Sequence, residues 1–160
     1  MSGLPHADSF RELIVYQKAR QLAKEVFDVT KKFPREEMYS LTDQIRRSSR
    51  SVGAQIAEAW GKRRYEKHFV SKLTDADGEQ METQHWTDIA SDCSYITPQQ
   101  REQRLELCAS IGRMLHGMTE KADRFCSVTD YWSPVTDQKM GHRPQGQQTP
   151  VESNEELEEV

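Results

Sequence analysis

From Val15 onward the apolar residues Val15, Ala19, Leu22, Val26, Val29 and Phe33 recur at intervals of four, three, four, three and four. That rhythm holds them on one stripe of an α-helix and is the spacing of a helix facing a bundle seam. A strand would scatter the same residues over both of its faces. Asp8 or Ser9 is placed to cap the start. Phe33-Pro34 ends the run, because the residue before proline is pushed out of the α region.

Three further segments carry helical periodicity. The second begins near Glu36 and sets Leu41, Ile45, Ser49, Val52, Ile56 and Trp60 on one face, closing at Gly61. The third places Phe69, Leu73, Ala76, Met81, Trp86 and Ile89 on its core side, with Gly78 inside it at a local cost of ~1 kcal/mol relative to alanine. Thr97-Pro98 opens the fourth as a threonine cap followed by proline at the first helical position. Leu107, Ile111, Met114, Met118 and Phe125 interleave there with Leu105, Cys108, Leu115 and Ala122. Nowhere do β-branched residues alternate between turn signals. The expected fold is all-α: an up-down-up-down four-helix bundle over residues 1–126.

The rest of the chain has a different character. Residues 127–160 hold three prolines and seven acidic residues against two basic ones, so the segment is expected to be a disordered acidic tail. Tyr131-Trp132 is the part of it that could fold back. Residues 1–126 carry 20 Lys and Arg against 19 Asp and Glu. No apolar stretch approaches the ~20 residues of a membrane span, and the start does not read as a signal peptide. Cys93, Cys108 and Cys126 are odd in number and lack metal spacing, as expected of reduced thiols in a cytoplasmic protein. Helices 1 and 4 carry apolar residues beyond one stripe: Tyr16, Ala23 and Phe27 on the first, two interleaved sets on the fourth. That surplus either thickens the core or buries against another copy of the chain, and in a chain of mean hydropathy −0.87 self-association is the favoured use.

Residues 44–67 are the richest in chemistry. Arg46, Arg47, Arg50, Lys62, Arg63, Arg64 and Lys67 stand against Glu58 and Glu66, a surplus of five positive charges. At ~100° per residue, Arg46, Arg50 and Arg64 fall on one side of a helix, with Gly53, Ala57 and Gly61 baring the backbone between them. Such a stripe admits phosphates or a neighbouring helix. These seven residues are the candidate nucleic-acid contacts. Pairing of Arg46 or Arg47 with Glu82 or Glu58 inside the bundle is the alternative use. Enzymatic signals are weak. A bundle di-iron site needs two Glu-x-x-His pairs, and this chain has one, Glu82 with His85. Ser48, Ser49 and Ser51 have no histidine near them in sequence. No catalytic residue, metal or cofactor is expected.

The ordered segments FRELIVYQKARQLAKEVFDVTKKFP, LTDQIRRSSRSVGAQIAEAWGK, ADGEQMETQHWTDIASDCSYI and IGRMLHGM resemble a known family. These are the four-helix-bundle proteins encoded in intervening sequences of bacterial large-subunit ribosomal RNA genes. Gln55, Ala59 and Glu79 depart from that family's usual Asn, Gly and Ser, and Ser48-Ser49 from its alanines. The resemblance implies a homo-oligomer, typically a ring of five. It also implies kinship with the accessory protein of diversity-generating retroelements, which works with a reverse transcriptase and nucleic acid. The functional expectation is a non-enzymatic ring that binds RNA or DNA through helix 2, as an adaptor for a nucleic-acid enzyme. A protein-binding scaffold without nucleic-acid activity is the alternative.

Overall fold

A computed structural model of the chain describes residues 6–126. Four long helices form the bundle: α1 Ile14–Thr30, α2 Asp43–Gly61, α3 Glu66–Asp92 and α4 Pro98–Glu120, closed by the short α5 Ala122–Cys126. Among the described residues there is no strand. The acidic tail and Tyr131-Trp132 lie outside the described residues.

Local signals explain where the helices begin and end. Ser9 accepts a bond from the Arg11 N–H, but it caps only a 3₁₀ turn, Phe10–Glu12. Leu13 is extended there (φ −66°, ψ 126°), so α1 starts one residue later at Ile14. Thr97 and Gln100 form a reciprocal capping box with Pro98 at the first helical position. α3 ends in a Schellman motif. Ser94 takes the left-handed conformation (φ 59°) that glycine usually fills, and the Tyr95 N–H donates 2.9 Å to the Ala90 carbonyl. Between α1 and α2 the chain makes a 3₁₀ turn, Arg35–Glu37, and one π turn, Met38–Thr42.

The α1 stripe packs as its spacing requires, with Val15, Ala19, Leu22 and Val26 all at most 3% exposed. They meet Ile45, Val52 and Ile56 of α2, Phe69 and Leu73 of α3, and Cys108, Ile111 and Leu115 of α4. A second cluster of Val29, Phe33, Leu41, Ala90 and Ile96 closes the opposite end.

The core stripes of two helices, α3 and α4, differ from the sequence expectation. On α3 the buried stripe is Phe69, Leu73, Ala76, Gln80, Thr83, Thr87 and Ala90, a continuous four-three repeat whose middle is polar. Met81, expected inside, is 60% exposed, and Trp86 and Ile89 only flank the core. The polar residues are affordable because each is bonded. Thr83 shares a 2.9 Å hydrogen bond with Ser48 and donates to the Glu79 carbonyl, and Thr87 donates to the Thr83 carbonyl. Gln80 donates to Asp77 and passes beside Gly112, where a Cβ would stand 2.9 Å from its amide nitrogen. On α4 the stripe opens with Arg104, which is 7% exposed. Its guanidinium donates to the Gln100 carbonyl at 2.7 Å, while its Nε lacks a partner among the described residues. Burial lowers the Arg104 pKa against the opposing pull of Glu25 and Cys108.

Candidate nucleic-acid interface

Antiparallel packing of α1 on α2 brings the end of α1 level with the start of α2. The Arg46 Nε donates 2.7 Å to the Thr30 hydroxyl, which itself stays bonded to the Val26 carbonyl. The guanidinium carbons of Arg46 and Arg50 lie 4.9 and 5.8 Å from the centre of the Phe27 ring, with the Lys31 ammonium at 4.5 Å. Cations gather there because the ring's quadrupole attracts them without neutralising them. Arg46 and Arg50 have no carboxylate within ion-pair distance among the described residues.

Arg47 points the other way. It pairs with Glu82 and, at 3.5 Å, with Glu79, both on α3. The Glu82 bond raises the Arg47 pKa, with Glu79 adding to it against partial desolvation. The same bond, helped by the Trp86 indole, holds the Glu82 carboxyl below the usual carboxylate range. Of the two pairings weighed from sequence, Arg47 with Glu82 is present, whereas Glu58 pairs with Lys72 at 2.9 Å. Because Arg46 leans toward α1 and Arg47 toward α3, the outer side of α2 between them is a trough. Its volume is about 630 Å³, and Asp43, Gln44, Ser51, Ala54 and the three arginines line it.

The remaining basic residues form a second group. α2 ends at Gly61, so Arg64 sits in the turn before α3 and does not continue the stripe of Arg46 and Arg50. The expected single stripe is therefore two clusters, roughly 18 Å apart if twelve residues at 1.5 Å separate Arg50 from Lys62. Within the second, Arg63 lies 3.5 Å over the Trp60 ring and its Nε donates to the Trp60 carbonyl. Burial lowers its pKa, with Cys126 opposing. Arg64 stands 5.6 Å from the Tyr65 ring, and Lys62, Arg64 and Lys67 are exposed. Gly53 faces α1, where a Cβ would meet Tyr16 at 3.7 Å. A Cβ would fit there in ordinary contact, whereas Gly61, at the end of α2, is exposed with nothing within 4 Å of an added Cβ.

Gln55, Ala59 and Glu79, the positions of departure, all lie where α2 meets α3. Gln55 accepts from Lys72, Ala59 is buried, and Glu79 pairs with Arg47. Glu82 is committed to Arg47 and Trp86, while His85 packs against Trp86 at 4.8 Å between centroids. Among the described residues no group of three His, Cys, Asp or Glu is disposed to hold a metal ion. No helix among them is long and apolar enough to cross a membrane.

Residues 11–117 match the family described as 23S rRNA-intervening sequence protein. Among solved structures, the chain is similar to a protein of unknown function from the S23 ribosomal protein family of Bacteroides thetaiotaomicron VPI-5482. Identity is 28% and the TM-score 0.62, over 67% of this chain and 99% of that one. No curated protein matches the chain.

Proposed function

The chain belongs to the 23S rRNA-intervening sequence protein family, and on that premise we propose that it is a non-enzymatic, self-associating bundle that binds nucleic acid along α2. Its role would be that of an adaptor for a nucleic-acid enzyme such as a reverse transcriptase. The observation that carries the reading is the state of Arg46 and Arg50. Both are held on the Phe27 ring with no carboxylate partner among the described residues, so their charge is left for an external anion. Lys62, Arg64 and Lys67 supply a second contact at the far end of α2.

Titration of the full chain with RNA and DNA at rising salt tests this directly. Log affinity is expected to fall linearly with log salt, by about 0.7–0.9 units for each phosphate engaged. An absence of binding at low salt would overturn the reading.

Self-association is supported by Ile14, 60% exposed at the start of α1, and by half-buried Ala23 on the same helix. Light scattering should report a particle well above the 18.6 kDa monomer, near five-fold by the family resemblance. A monomer at micromolar concentration would refute it. The scaffold reading draws on Met81 and Ile14 as exposed apolar side chains and on Arg47, whose charge is spent on α3. Salt-independent capture of a protein partner, with no nucleic-acid binding, would favour that reading.

A further inference from the structure

Tyr39 is 81% exposed, the most exposed of the large apolar and aromatic side chains in the described residues. It makes no hydrogen bond or ring contact among them. A side chain of that size held in water costs apolar hydration and returns nothing to the bundle. Its backbone is also unusual, since Met38–Thr42 forms a π turn, and such turns recur at functional sites.

Its place on the helix gives the exposure a meaning. Tyr39 precedes Asp43 by four residues, and Asp43, Arg47, Arg50 and Ala54 follow at intervals of four, three and four along the outer side of α2. Tyr39 itself lies in the π turn, one turn before that stripe and outside the lining of the trough. Seven and eleven residues separate it from Arg46 and Arg50, at most roughly 11 and 17 Å along the helix, so one short oligonucleotide reaches the ring and both arginines.

We propose that Tyr39 is a stacking platform for an unpaired nucleobase, and that the interface consequently takes single-stranded nucleic acid in preference to duplex. This rests on the nucleic-acid reading above and specifies its substrate. Arg46 and Arg50 hold phosphates, while Tyr39 covers the face of a neighbouring base. Only a single strand offers that face, because in a duplex the bases are stacked on one another. Stacking on an aromatic ring is tolerant of base identity, so the preference is for strandedness and not for sequence. Asp43, four residues on and at the near end of the trough lining, repels a phosphate at that end and favours a base over the backbone there.

The test compares the full chain with its Tyr39→Ala and Tyr39→Phe variants. Each is titrated with a fluorescein-labelled single-stranded oligoadenylate and with a duplex of equal length, and its oligomeric size is measured by light scattering. Tyr39→Ala should lose single-strand affinity by roughly 5- to 150-fold. Its duplex affinity and size should not change. Tyr39→Phe should retain the wild-type values, because the ring and not the hydroxyl does the stacking. Equal loss on both probes, or no loss on either, overturns the platform and leaves arginine–phosphate binding standing. A smaller particle for Tyr39→Ala also overturns it, by making the ring a contact between subunits. Failure of the wild-type chain to bind either probe overturns the parent reading, and this one with it.

Discussion

Changing Arg46 and Arg50 together to glutamine is expected to weaken binding to a generic RNA by about a hundred-fold at low salt. Each charge-assisted contact is worth ~1.5 kcal/mol or more, and ~1.4 kcal/mol is tenfold. The salt slope should flatten by about one unit per arginine. Helicity and particle size should stay as they are. Arg46 gives up a bond to the Thr30 hydroxyl, yet that hydroxyl still donates to the Val26 carbonyl, so no buried polar atom is orphaned. Arg50 gives up only its place on the Phe27 ring, a contact worth ~0.5–1 kcal/mol at an exposed site. Replacing Lys62, Arg64 and Lys67 by glutamine measures the second cluster separately, now that α2 is known to stop at Gly61. Arg47→Gln is the informative control. It would free Glu79 and Glu82 beside the trough, so any loss there reflects added negative charge as much as a missing contact. Unchanged affinity in Arg46→Gln/Arg50→Gln would sink the assignment of the trough as the binding surface.

The bundle itself was legible because its signals are local. The α1 stripe and the Thr97-Pro98 cap each need only a few neighbouring residues to act, and both are where the sequence puts them, whereas α1 stops at Thr30, three residues short of Phe33. What pairs across helices was less legible. Arg47 and Glu82 are 35 residues apart, and the sequence could offer Glu58 as readily as Glu82. Only the packing of α2 on α3 decides between them. Arg64 joins the Arg46 and Arg50 stripe only if 100° per residue continues past Gly61, where the helix stops. Tyr39 carried no signal, since an exposed tyrosine in a connecting segment reads like any other. It acquires significance from the trough that begins one turn beyond it.

The α3 stripe was misread for a physical reason that a substitution can expose. An apolar-only pattern in the second half of α3 points to Met81, Trp86 and Ile89 as its core positions. The four-three repeat from Phe69 instead continues through Gln80, Thr83 and Thr87, whose hydroxyls and amide bond back to the helix or across to a neighbour. If the observed register holds, Thr83→Glu should be close to unfolding. Thr83 is 0% exposed and faces Ser48 across the α2–α3 contact, so a carboxylate there must lose its water with no cation to receive it. Burying such a charge costs several kcal/mol, a large part of the 5–15 kcal/mol that stabilises a typical domain. Thr83→Val should cost only about 1 kcal/mol, because Ser48 keeps the Ile45 carbonyl as acceptor. Met81→Glu, two residues away and 60% exposed, should change stability by no more than about 0.5 kcal/mol. Urea denaturation of the three variants decides the register. The opposite ranking, with Met81→Glu unfolded and Thr83→Glu tolerated, would restore Met81 to the core and turn α3 by the angle between the two stripes.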